Sequence, residues 1–174
     1  MPQVVPATLR DARAVAQIHV DSWRAAYRDL LSAGFLAELS VDAREAMWRD
    51  AIATGTPSLL VAKDDRGDEA VRGWLSFGAC RDDGAPTSEA EVWALYVAPD
   101  SWAGGIGRAL WQHARASMCE QGYRSCSLWV FAQNEGAIRF YRAVGFAPDA
   151  RPHQTFELGG RQVAEARYVC RLGD

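Results

Sequence analysis

Residues 91–110 read EVWALYVAPDSWAGGIGRAL, and the fold is organised around them. A run of strand formers ends at Pro99, a glycine-bearing turn follows, and an amphipathic helix begins near Ile106. A helix start carries unpaired N–H groups and a partial positive charge. Gly104, Gly105 and Gly107 lack a Cβ, so an anion can approach those amides closely. The stretch therefore reads as an anion-binding turn suited to a pyrophosphate, or else as a plain tight turn. Two other phosphate motifs are excluded. A P-loop needs Gly-Lys-Ser/Thr, and here Gly107 precedes Arg108 and Ala109. A dinucleotide fingerprint needs a third glycine where Leu110 stands, and an acidic end to the next strand, which instead runs into Ala132-Gln133-Asn134.

Working outward on the N-terminal side, Gln3 to Leu9 leans towards strand. Asp11 opens a helix to about Arg28, with Val15, Ile18, His19, Ser22, Trp23, Ala26 and Tyr27 at helical spacing. Leu30 to Ser40 reads as a mobile connector, and Val41 to Ile52 as a second helix with Trp48 inward. Ser58 to Ala62 and Val71 to Cys80 are strands around a charged turn, Asp64 to Asp68. On the central strand, strict alternation puts Glu91, Trp93, Leu95 and Val97 on one face, and Val92, Ala94 and Tyr96 on the other.

Towards the C-terminus, the helix from Ile106 to Gln121 buries Ile106, Leu110, Ala114 and Met118 and stops at Gly122. A strand over Arg124 to Phe131 and a helix over Asn134 to Val144 follow. Phe146 to Leu158 and Arg161 to Leu172 form a closing hairpin about Gly159-Gly160. Strands and helices in this order make an α/β sandwich with a mixed sheet.

Composition limits what such a fold can do. With 174 residues, 49 % of them apolar, one domain with a sizeable core is expected. A formal charge of −3 gives no global case for nucleic acid or a membrane surface. No apolar run is long enough to span a bilayer, and the N-terminus lacks a secretory pattern, so a cytoplasmic location is expected. Cys80, Cys119, Cys126 and Cys170 form no C-x-x-C pair, and His19, His113 and His153 are scattered, so no metal site is expected.

A second stretch, NEGAIRFYRAVGF at 134–146, narrows the reading. With VAPDSWAGGIGRAL it resembles the GNAT superfamily of acyl-CoA-dependent N-acetyltransferases. In that family V-x-P and Q/R-x-x-G-x-G/A open a helix, and N-x-x-A-x-x-F-Y-x-x-x-G-F follows. The second motif matches at Asn134, Ala137, Phe140, Tyr141, Gly145 and Phe146. IHVDSWRAAYRDLL at 18–31 and ELGGRQVAEARYVCRL at 157–172 are similar to a bacterial subgroup. The one departure is Trp102 at the Q/R position, which removes a charge contact that Arg108 would partly replace.

The resemblance implies a three-layer α/β sandwich over residues 1–174. Its sheet would be mostly antiparallel, splayed between the fourth and fifth strands, with helices on both faces. It implies acetyl-CoA as co-substrate, an amine acceptor, and a domain that often pairs as a homodimer. Trp102, Ala103, Gly104, Gly105, Ile106, Gly107 and Arg108 would hold the pyrophosphate, Leu95, Tyr96 and Val97 the pantetheine arm, and Asn134 the cofactor or its own helix start. Tyr141 would protonate the departing thiolate, its alternative being a core aromatic. Glu91 would relay a proton from the amine, its alternative being a solvated charge at the start of the strand. Trp23, Tyr27 and Glu165 are acceptor-side candidates, against core packing for the two aromatics and a solvated edge for Glu165. Three activities remain open: acetyl transfer to a primary amine, transfer of a longer acyl group, and acyl-CoA binding without turnover.

Overall fold

The structure is a computed structural model, and it describes residues 2–64 and 70–173. Its strands are β1 (Gln3–Pro6), β2 (Ser58–Lys63), β3 (Val71–Ala79), β4 (Glu89–Val97), β5 (Ser125–Phe131), β6 (Ala147–Pro148), β7 (Gln154–Leu158) and β8 (Arg161–Arg171). Its helices are α1 (Ala12–Ala26), α2 (Ala33–Glu38), α3 (Val41–Thr54), α4 (Ile106–Glu120) and α5 (Glu135–Ala143). The sheet order is β1-β2-β3-β4-β5-β8-β6, with β7 on β8, and only the β4–β5 pairing is parallel. The expected mixed, mostly antiparallel sandwich is what forms.

The parallel pairing is short. β4 and β5 are in register only at Glu89–Ser125, Ala90–Cys126 and Glu91–Ser127. Beyond Glu91 the strands part, β4 following β3 and β5 following β8. A bulge lies at the point of parting. Ser76 opposes Ala94 and Phe77 opposes Val92, so Trp93 is the extra residue. A bulge bends its strand and increases local twist, which carries β4 away from β5.

The bulge also overturns the alternation read from sequence, because one inserted residue exchanges the faces beyond it. Ala90 and Val92 share the α4 face with Leu95 and Val97, whereas Ala94 and Tyr96 pack with α1 and α3. Glu91 opposes Gly78, two positions along β3 from Ser76, so it lies on the Tyr96 face and not with Leu95. Its neighbour Trp93 lies over that glycine, where a Cβ would stand 3.2 Å from the indole.

The α4 face is filled by Ile106, Leu110, Trp111, Ala114 and Met118, with Ala137, Ile138, Tyr141 and Val144 of α5 packed alongside. Leu30 to Ser40 is not a bare connector. Ser32 caps α2, the Arg24 side chain binds the carbonyls of Leu36, Ala37 and Leu39, and Leu31 and Leu36 are buried. Phe146 to Leu158 is two strands rather than one. Pro148 and Pro152 lack an N–H to donate; after the Asp149 amide bonds the Arg167 carbonyl, pairing with β8 lapses and resumes at Gln154 in a shifted register. The charged turn expected at Asp64 to Asp68 falls, beyond Asp64, outside the described residues.

Candidate active site at the split in the sheet

On one side of the split stands the start of α4. Gly105 occupies its N-cap with φ +79°, in open space, and no side chain caps the helix. Ala103 just before it also has positive φ, 63°, a strained choice for a residue with a Cβ. The amides of Ile106, Gly107 and Arg108 head the helix without intrahelical partners, as an anion site requires. Gly107 has a further reason to be glycine: a Cβ there would stand 3.2 Å from the Phe140 ring. Its bare Cα lets α5 close on α4.

β4 adds main-chain groups. The Ala98 amide donates to Arg72 on β3, so by strand alternation Tyr96 also turns its peptide to β3, while Leu95 and Val97 face the split. The Val97 carbonyl already accepts from the Ser22 hydroxyl at 3.2 Å and from the Trp102 indole at 2.8 Å. Trp102 is thus tied to the strand end with its ring exposed. Arg108 is exposed and makes no ion pair among the described residues.

On the other side is α5. Asn134 caps it by accepting from the Ala137 amide at 3.2 Å. Tyr141 is half-buried, edge-on to Phe140 and Phe146 at 5.3 and 5.7 Å. Its hydroxyl has no hydrogen bond among the described residues. Burial, reinforced by Tyr96, pushes its pKa well above the ordinary 10. It therefore stays protonated at neutral pH, as a general acid must.

Tyr96 ties β4 to α1, a role the strand reading missed. Its hydroxyl accepts from the Trp23 indole at 2.8 Å and lies within hydrogen-bonding reach of Tyr27. Tyr27 meets Trp23 edge-on at 5.2 Å and packs on Phe131, 4.8 Å between centroids. Below, His19 stacks on Tyr96 at 5.3 Å and accepts from the Trp48 indole at 3.2 Å. Burial, with Arg44 nearby, lowers the His19 pKa from 6.5 to about 3. Trp23 and Tyr27 thus meet at the split, as their one-turn spacing allows.

Glu91 is neither solvated nor free. It is 2 % exposed, and its carboxylate accepts from the Arg81 amide at 2.9 Å and guanidinium Nε at 3.1 Å, with a further contact to the other oxygen. Arg81 also lies 4.2 Å over the Trp93 ring. Nearby, the buried Arg167 guanidinium meets Asp82 at 2.7 Å, Asp149 and Glu89, and these acids raise its already high pKa against the desolvation of burial. Cys80, Asp82 and Glu89 come close enough together to resemble a metal cage, but this guanidinium already supplies their cation. Arg81, Asp82, Glu91, Trp93, Trp129 and Glu165 line a cleft of about 430 Å³ on the α1 face.

A sheet parted between two parallel strands, with an uncapped helix start beside the gap, is the architecture of an acetyltransferase. The chain belongs to the acetyltransferase (GNAT) family, whose sequence model matches residues 16–146. It is 31 % identical over 165 residues to YuaI, an uncharacterized N-acetyltransferase of Bacillus subtilis, covering 95 % of this chain and 90 % of that one. Its fold resembles PaiA N-acetyltransferase of Thermoplasma acidophilum, solved with coenzyme A (TM-score 0.79, 18 % identity, 98 % and 99 % of the two chains). It also resembles the Salmonella typhimurium protein yncA, solved with acetyl-CoA (0.76, 22 %, 100 % and 95 %). Among the described residues no helix is long and apolar enough to cross a membrane.

Proposed function

We propose that residues 1–174 act as one domain that moves an acetyl group from acetyl-CoA to a primary amine by direct attack on the thioester. The observations that support this reading are the uncapped, glycine-led start of α4 and the packing of Phe140, the neighbour of Tyr141 on α5, against Gly107 in the first turn of α4. The two solved relatives carrying coenzyme A or acetyl-CoA support the same co-substrate. The amides from Gly105 to Arg108 take the pyrophosphate, and the exposed Arg108 adds charge there. Leu95 and Val97 pair with the pantetheine arm as an added strand would. The Val97 carbonyl is already engaged twice, so Leu95 and the Val97 amide remain for that pairing. Asn134 acts through its cap, which sets the helix that carries Tyr141. A reducing cytoplasm suits the four free cysteines.

Tyr141→Phe tests this. It should lower kcat by about a hundred- to ten-thousand-fold, the usual worth of a proton donor. The acetyl-CoA Kd, measured by calorimetry, should not change. Unchanged turnover would move the acid elsewhere. Tight acetyl-CoA binding with no thiol released from any amine would make the domain a sensor.

A further inference from the structure

The acceptor side of the cleft holds several carboxylates in different states. Glu91 is occupied by Arg81. Asp82 accepts from the Trp129 indole at 3.0 Å and pairs with Arg167 and Arg151. Asp83 is exposed at the rim. Glu165 is half-buried and makes no hydrogen bond or ion pair among the described residues. It opposes Phe131 on β5 and Gln154 on β7. The charges facing it are Arg81 from the β3–β4 loop and Glu91 from β4, and its field reaches the Tyr96 hydroxyl. Glu165 lines the cleft on the α1 face, and Tyr141 packs against the core on the α4 face.

We propose that Glu165 binds the acceptor as an alkylammonium in this cleft and takes its proton. The inference rests on the transfer reaction above and supplies its acceptor side. The cleft volume suits a small molecule. Trp129, its indole pinned by Asp82, gives the cation an aromatic wall. An unpaired carboxylate at the floor and another at the rim disfavour an acceptor bearing its own carboxylate. Burial, reinforced by Glu91 and opposed by Arg81, raises the Glu165 pKa, which makes it the stronger proton acceptor. The ammonium gives one proton to Glu165, and the freed lone pair forms the bond to the thioester carbon. The carbon–sulfur bond breaks and sulfur takes the Tyr141 proton. The second proton on nitrogen restores Tyr141. Glu165 returns its proton to solvent, so ammonium and thioester become amide, thiol and one proton.

The test is thiol release from acetyl-CoA by the full-length protein with butylamine, 1,4-diaminobutane and alanine across pH. The two amines should exceed alanine in kcat/KM by about tenfold or more, the worth of roughly one unfavourable charge contact. Glu165→Gln should lose about a hundredfold or more with butylamine and abolish the acidic limb of the kcat/KM profile, with acetyl-CoA affinity unchanged. Glu165→Asp should recover part of the rate. Should the Gln variant fail to fold, a displaced acidic limb in Glu165→Asp supports the assignment and an unmoved limb overturns it. A Gln variant within about threefold of the parent, acidic limb intact, overturns the role of Glu165. The transfer reaction then still stands if Tyr141→Phe is slow. No thiol from any amine with the unaltered protein overturns both.

Discussion

The two sides of the split are built on opposite rules. On the β4–α4 side the main chain is left open: no side chain caps α4, and beyond Glu91 β4 has no partner on β5. On the β5–α5 side the main chain is closed. β5 is in register with β8 from Ser125 to Phe131, and Asn134 caps α5. That side carries the candidate side chains instead, Tyr141 on α5, Trp129 on β5 and Glu165 on β8. A site made of main-chain amides depends little on local side chains, so Trp102 does not by itself argue against the anion site proposed at the start of α4. Chemistry needs particular functional groups, and those need a satisfied, rigid frame.

Closing Gly107 should damage both sides together. Gly107→Ala puts a methyl 3.2 Å from Phe140, and overpacking of this kind costs about 1–3 kcal/mol. The urea midpoint, acetyl-CoA affinity and kcat should all fall. If affinity fell alone, Gly107 would belong to the ligand and not to the α4–α5 contact.

Acid should attack the aromatic floor beneath Tyr96. His19 is neutral in the fold and its pKa is lowered to about 3, whereas an unfolded histidine takes up a proton near 6.5. Between those values the unfolded chain binds the extra proton, so stability falls as pH falls, by up to about 1.4 kcal/mol per unit. Urea unfolding at pH 7 and pH 5 should show this loss, and His19→Gln should remove most of it. The lowered carboxylates Asp82 and Asp149 add their own loss only at more acidic pH.

Asn134→Ala gives the smallest effect and the sharpest test of the division. Losing the cap should cost about 1 kcal/mol of stability. Because α5 carries Tyr141, kcat should drop while the acetyl-CoA Kd stays constant. A weakened Kd would put Asn134 on the cofactor and blur the contrast between the two sides.

Much of the frame is local and was legible in the chain. Helix periodicity gave the inward faces of α1, α4 and α5, and the Gly122, Gly145 and Gly159-Gly160 stops all carry positive φ. Short elements were less legible: α2 has only six residues, too few to show a period, and it forms because Arg24 and the Leu31–Leu36 packing hold it.

What the sequence determined by itself is the order of elements, the glycine-led start of α4 and the capped start of α5, all consequences of neighbours along the chain. Tertiary structure alone decided which carboxylate is free. Glu91 is occupied because Arg81, 10 residues back and across the β3–β4 loop, reaches it, and Asp82 because Arg167, 85 residues away, does. Glu165 is left unpaired by the same arrangement. Ion pairing and strand register depend on groups brought together from distant parts of the chain, and no local pattern records them.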